Sequence, residues 1–295
     1  MQEKKKDRKI LILLLLLILF GSLLILYPLF SNWYAEKHNA EIRIEFETQI
    51  EALEDSETEE LLERARIYNR QLQRVAGADA LKEVTVDYHD TLDLNGTGLM
   101  GYITIPKIDV ELPIYHGTSE KVLAHAAGHL QSTSLPIGGK GTHAAISAHT
   151  GTANDRLFTD LNLLETEDTF TVSVLGKEMV YEIDQIKTVL PYETDSLQID
   201  NDKDLVTLGT CSPFGVNSHR LLVRGQRVEL PVLSQSAEEE ASPSPSEPES
   251  RSIWVQKYWK SMWIGVSTTI CAAIAIFVVC FIADAWKRKG KCRKE

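Results

Sequence analysis

Cys211 is the one thiol that lies outside the long apolar runs and the charged tail. It stands in Thr207-Leu208-Gly209-Thr210-Cys211-Ser212-Pro213-Phe214-Gly215, where a β-branched run gives way to a Pro/Gly turn. A strand at that place fixes the residue, and the turn leaves space around its sulfur. Position by itself leaves two readings open, a reactive thiol or an inert cysteine packed as a small hydrophobe.

A little further on, His219-Arg220-Leu221-Leu222-Val223-Arg224-Gly225 reads as the next strand, running back antiparallel. Such a return brings a guanidinium beside Cys211, where it favours the thiolate and donates hydrogen bonds to a developing oxyanion. Strand alternation puts Arg220 and Arg224 on one face, so spacing does not choose between them. Nor does it exclude plain pairing with carboxylates. Cysteine chemistry also needs an acid/base group. His149 follows Ala144-Ala145-Ile146-Ser147-Ala148 and opens His149-Thr150-Gly151, a strand-to-turn junction suited to facing a cleft. His143 begins the same strand, roughly 20 Å away at about 3.3 Å per residue, so at most one of the two sits beside the thiol. His38 and His89 precede the strand-rich part, and His116, His125, His129 and His219 complete the set. There is no HExxH or Cys-x-x-Cys pair, so neither a metal nor any other cofactor is expected.

These groups need a scaffold. Short β-branched and aromatic runs appear at Met100–Ile105, Val110–Tyr115, Ala144–Ser147 and Phe170–Val174. More follow at Met179–Ile183, Leu205–Leu208 and Arg220–Val228, separated by Gly, Asp, Asn and Pro. With no repeated βα unit or Gly-rich phosphate loop, the pattern implies one compact β-barrel-like domain. Ahead of it, residues 34–72 are charged and lack Pro and Gly. Phe46, Ile50 and Leu53 recur there at helical spacing, as do Leu61, Ala65, Tyr68 and Leu72. Ser56 and Glu59 fit a capping box at which a helix restarts, giving a helical stalk that packs on the main domain.

The ends carry a further expectation. Apolar runs at Ile10–Leu29 and Met262–Ala283 each approach the roughly 20 residues that span a bilayer, with aromatic residues beside them. Residues 1–9 and 284–295 are basic, at +3 and +4, which leaves −18 of the net −11 on everything between. An acidic body disfavours nucleic acid as a partner. The expected class is therefore all-β, a barrel with an N-terminal helical stalk and two transmembrane helices. Both termini would be cytoplasmic, the catalytic domain extracellular and the lipid bilayer a partner. The expected segments are 1–9 basic tail, 10–30 transmembrane helix, 31–97 stalk and the segment after it, and 98–231 barrel. Then come 232–257 acidic Pro/Ser-rich tether, 258–283 transmembrane helix and 284–295 basic tail.

The residues around Cys211 resemble the sortase family, most closely its class C, pilus-assembling members. Thr207-Leu208-Gly209-Thr210-Cys211 is similar to the family's TLxTC signature, and Pro213 to Gly225 resembles the class C continuation. Met100 to Pro106, Leu112 to Thr118, Gly128-His129-Leu130 and Thr133 to Pro136 match in order. The resemblance implies a sortase-like barrel with His149 as the catalytic histidine, Cys211 as nucleophile and Arg220 as essential arginine. Arg224 then reads as a supporting residue. It further implies cleavage of an LPxTG-like signal between Thr and Gly on exported pilin or surface proteins. The acyl group would pass to a lysine amine of a pilin subunit. The alternatives are transfer to a peptidoglycan amine and, from another class, a non-catalytic scaffold or adhesive domain. Class C members carry an Asp-Pro-aromatic lid tip; here the corresponding place reads Asp79-Ala80-Leu81, so the resemblance makes 31–97 a stalk and lid-like segment, with Asp79 and Leu81 as candidate lid residues, and 98–231 the catalytic barrel.

Overall fold

Residues 2–74, 84–150 and 157–229 are described by the structure, a computed structural model. The chain divides into two units, one of Met1–Leu26 with Glu239–Glu295 and one of Tyr27–Glu238. The second holds all the strands among the described residues.

Eight strands close into a barrel in the order β1-β2-β3-β4-β7-β8-β6-β5. They are β1 (Leu99–Ile105), β2 (Val110–His116), β3 (Ala127–His129), β4 (Thr142–Ser147), β5 (Thr169–Val174), β6 (Lys177–Val189), β7 (Asp204–Ser212) and β8 (His219–Arg227). Most neighbours are antiparallel, but β2–β3 and β4–β7 run parallel. Alternating side chains of each strand point inward, and Ile103, Ile114, Ile146, Phe170, Leu208 and Val223 are fully buried there. Two features escape the alternation pattern. β3 is too short to show a period, and β6 continues past Ile183 through Asp184 to Thr188, polar except for Ile186, with a register shift at its start.

Two helices precede the barrel, α1 (Gln2–Glu51) and α2 (Asp55–Arg74). The face predicted from helical spacing is the one that packs: Phe46 is buried against Leu99 and Tyr102, with Ile50 alongside. Arg43 clamps this end of α1 through Glu47 and Glu111, each at 2.6 Å. In α2, Ala65, Tyr68 and Leu72 are buried and Leu61 packs beside them. The capping box sits slightly earlier than expected: α2 begins at Asp55, and Glu57 reaches back to the Glu54 N–H at 3.1 Å. Buried Asn69 then grips the Leu135 backbone at both ends, donating to its carbonyl (3.0 Å) and accepting from its N–H (2.6 Å).

Two expectations are corrected here. The fold is mixed α/β rather than all-β. Ala65, Tyr68 and Leu72 belong to the same buried cluster as Ile103, Ile114 and Ile146, so α2 is part of the core and not an appendage to it. The two-pass membrane topology is likewise corrected, because among the described residues no helix is long and apolar enough to cross a membrane. The run Ile10–Leu29 is not an element of its own; it belongs to α1, which carries charged residues both before and after it. The second expected span, 258–283, lies outside the described residues, as does the tether 232–257.

Candidate active site

Strand register builds the site. β7 and β8 are antiparallel, with Cys211 paired to Arg220, Gly209 to Leu222 and Thr207 to Arg224. On the other side β7 runs parallel to β4, with Ser147 beside Gly209 and Ala145 beside Thr207. Directly opposed residues in neighbouring strands present their side chains to the same face. His149, two residues beyond Ser147, therefore comes level with Cys211, and the Ala148 N–H donates to the Gly209 carbonyl at 3.2 Å to hold that register.

Three side chains from three adjacent strand ends, His149, Cys211 and Arg220, thus share one outer face of the barrel. They line a cleft of about 350 Å³ together with Thr118, Leu123, Leu130, Leu190 and Leu197. The segment after β6 covers this face, which explains why β7 is buried on both sides until Cys211, where it becomes half-exposed. Cys211 is the free cysteine among the described residues.

Hydroxyl groups lock the two strand ends together. Thr210 donates to the Ala148 carbonyl at 2.8 Å, and Thr150 donates to the Cys211 carbonyl at 3.0 Å. The Thr150 and Thr210 hydroxyls also lie against one another. His149 is flanked by Ala148 and Thr150, so these bonds hold its backbone opposite the thiol from both sides. Sequence reasoning passed over Thr150 and Thr210 as positioning residues. The Thr before the cysteine was visible in the TLxTC match, but its partner across the strands was not.

The two arginines separate. Arg224 is committed to Asp184 in a two-point ion pair, Nε to Oδ1 at 2.9 Å and Nη2 to Oδ2 at 2.7 Å. Arg220, level with Cys211, donates from Nη1 to the carbonyls of Asn217 (3.2 Å) and His219 (3.0 Å). Among the described residues no carboxylate pairs with it. The turn that places Arg220 uses left-handed backbone at Gly215 (φ 75°) and Asn217 (φ 57°), which suits those residue types.

The histidines separate as well. His149 is partly exposed, and its Nε2 lies 3.5 Å from Oε1 of Glu120. His143 is buried with both nitrogens occupied: Nδ1 donates to the Gln198 carbonyl (2.8 Å) and Nε2 accepts from the Thr207 hydroxyl (2.7 Å). Burial also lowers its pKa. It is a satisfied wall residue. His219 pairs in register with Ser212 and so faces away from Cys211. The lid candidates Asp79 and Leu81 lie outside the described residues.

Behind the cleft wall, His129 is fully buried, accepting from the Tyr88 hydroxyl at Nδ1 (2.9 Å) and donating from Nε2 to the Ser134 carbonyl (2.8 Å). Tyr88 in turn accepts from the Gly117 N–H at 3.0 Å, next to Thr118 of the cleft. Burial lowers the His129 pKa to about 4 from an ordinary 6.5. Below pH 6.5 the unfolded chain binds a proton that the folded chain refuses, so stability is full above 6.5 and falls until about pH 4. The expected loss is about 3 kcal/mol. Urea titrations at pH 7 and pH 4.5 should show it in the wild type, and a His129→Gln chain should lack that part of the pH dependence.

A family model described as Sortase domain matches residues 103–228. Sortase C1 from Streptococcus agalactiae is 42% identical, with a TM-score of 0.59 over 64% of this chain and 99% of that one. Sortase C from Clostridium perfringens, solved with the C-terminal cell wall sorting motif, is 41% identical with a TM-score of 0.57, covering 65% and 100%. A Streptococcus pneumoniae sortase C structure described as informing catalysis and pilin substrate specificity is 35% identical, with a TM-score of 0.56 over 64% and 97%. The chain belongs to the sortase family and to its class C type. Its activity is that of a sortase-type cysteine transpeptidase.

Proposed function

We propose that the protein polymerises pilus subunits. It cleaves an LPxTG-like signal between Thr and Gly and joins the new acyl end to a lysine amine of another subunit. Similarity to class C sortases supports this reading. The observation that carries it is the level alignment of His149, Cys211 and Arg220 across three strands of one cleft. In this reading the Cys211 thiolate attacks the Thr carbonyl and Arg220 donates hydrogen bonds to the oxyanion. The His149 imidazolium then gives its proton to the departing Gly amine, and a thioacyl enzyme remains. The C–N bond of the peptide breaks as the C–S bond forms. Residues 98–231 are proposed as the catalytic unit.

Incubating the full-length chain with an LPxTG peptide should add the mass of the acyl fragment to the peptide containing Cys211. Supplying either a pilin subunit or a peptidoglycan stem-peptide amine then assigns the acceptor: faster discharge by the pilin lysine is expected. Absence of any adduct on an accessible thiol would sink the enzyme reading, and discharge only by the cell-wall amine would replace polymerisation by wall anchoring.

A further inference from the structure

Glu120 has no part in the reading above, yet its carboxylate is the one found within ion-pair reach of His149 among the described residues. It opens α3 (Glu120–Leu123), a single turn capped by the Ser119 hydroxyl, which accepts from the Val122 N–H. Thr118 and Leu123, on either side of Glu120, line the cleft. Its side chain is 89% exposed, so one edge faces His149 and the rest is open to an incoming molecule. The carboxylate that lines the cleft, Glu193, is engaged in its own loop, where it accepts from the Leu190 N–H at 3.0 Å.

Charge is thus divided across Cys211. The cationic Arg220 lies on the β8 side and the anionic Glu120 on the β4 side, next to His149. The two steps of transpeptidation use the same carbonyl, so the acceptor amine must arrive where the Gly amine leaves, on the His149 side. Before it reacts, that amine is an ammonium ion. We propose that Glu120 is the acceptor-docking residue, recognising the lysine ammonium and holding it beside His149 and the thioester. This rests on the roles proposed above for Cys211 and His149.

The chemistry balances. The docked ammonium releases one proton to solvent, and the neutral amine nitrogen attacks the thioester carbon. The C–N bond forms as the C–S bond breaks. A second proton passes from nitrogen to the neutral His149 imidazole, which restores the thiolate–imidazolium pair. Glu120 touches the ammonium before attack and takes no part in thioacyl formation.

The test sets a charged acceptor against an uncharged one. Thioacyl enzyme from the full-length chain is offered a mixture of Nα-acetyl-lysine amide and hydroxylamine, which is uncharged at neutral pH, and the product ratio is measured. Glu120→Gln should lower the lysine-to-hydroxylamine ratio roughly three-fold, the scale of one exposed ion pair. Charge reversal by Glu120→Lys should lower it roughly ten-fold. Added salt should lower the ratio in the wild type and leave Glu120→Gln unmoved. An unchanged ratio in both variants overturns the proposal, including where both products fall together, since that places Glu120 behind His149 as a positioning residue. Failure of the wild type to form a thioacyl enzyme is a separate result: it removes the reading of Cys211 and the acceptor role with it.

Discussion

Cys211→Ala should abolish adduct formation with an LPxTG peptide and reduce peptide release below about one-thousandth of the wild-type rate. The residue sits half-exposed at the end of β7, so its sulfur fills no part of the core and the fold should survive. A melting temperature within about 2 °C of wild type would confirm that. Cys211→Ser should be nearly as inactive, because a hydroxyl keeps the geometry but ionises far less readily than a thiol. Intact-mass analysis and peptide release read both variants. Release above a tenth of the wild-type rate in the alanine variant would point to a different nucleophile.

Arg220→Ala is expected to lower kcat/KM about 10²- to 10³-fold, the scale of losing an oxyanion donor. Arg220→Lys keeps the charge but loses the planar fork, and should recover part of the loss while remaining about ten-fold below wild type. Arg224 supplies the control. It lies on the same face of β8 but is bound to Asp184, so Arg224→Ala should cost about 1 kcal/mol of stability and leave kcat/KM within a few-fold. If the two alanine variants were equally impaired after correcting for folded fraction, register opposite the thiol would not be what makes an arginine matter here.

The contrast between these arginines marks where sequence reading stops. Their spacing puts both on one face, and only pairing across strands shows that Arg220 is level with Cys211 while Arg224 meets Thr207. The histidines behave alike. His143 on β4 and His149 just past its end alternate onto the same face, but buried His143 is occupied at both nitrogens by Gln198 and Thr207. Partners separated by 55 and 64 positions leave no local trace. Glu120 and Thr150 are further cases, since each lies against a residue of a different element.

Local pattern did determine a good deal. Helical spacing of Phe46 and Ile50, and of Ala65, Tyr68 and Leu72, identified the faces that pack, because amphipathic periodicity is a property of neighbouring residues. Alternation and turn residues located most strands, and the thiol's place at a strand end followed from its own segment. What only the tertiary structure decided was closure: that α2 shares one buried cluster with the barrel, making the fold mixed α/β, and that β4, β7 and β8 lie side by side. The physical reason is that strand order and register come from hydrogen bonds and core packing between distant segments, which constrain many residues weakly rather than a few strongly. The thiol, the imidazole and the guanidinium were each legible in the chain; their meeting at one end of three strands was a property of the fold.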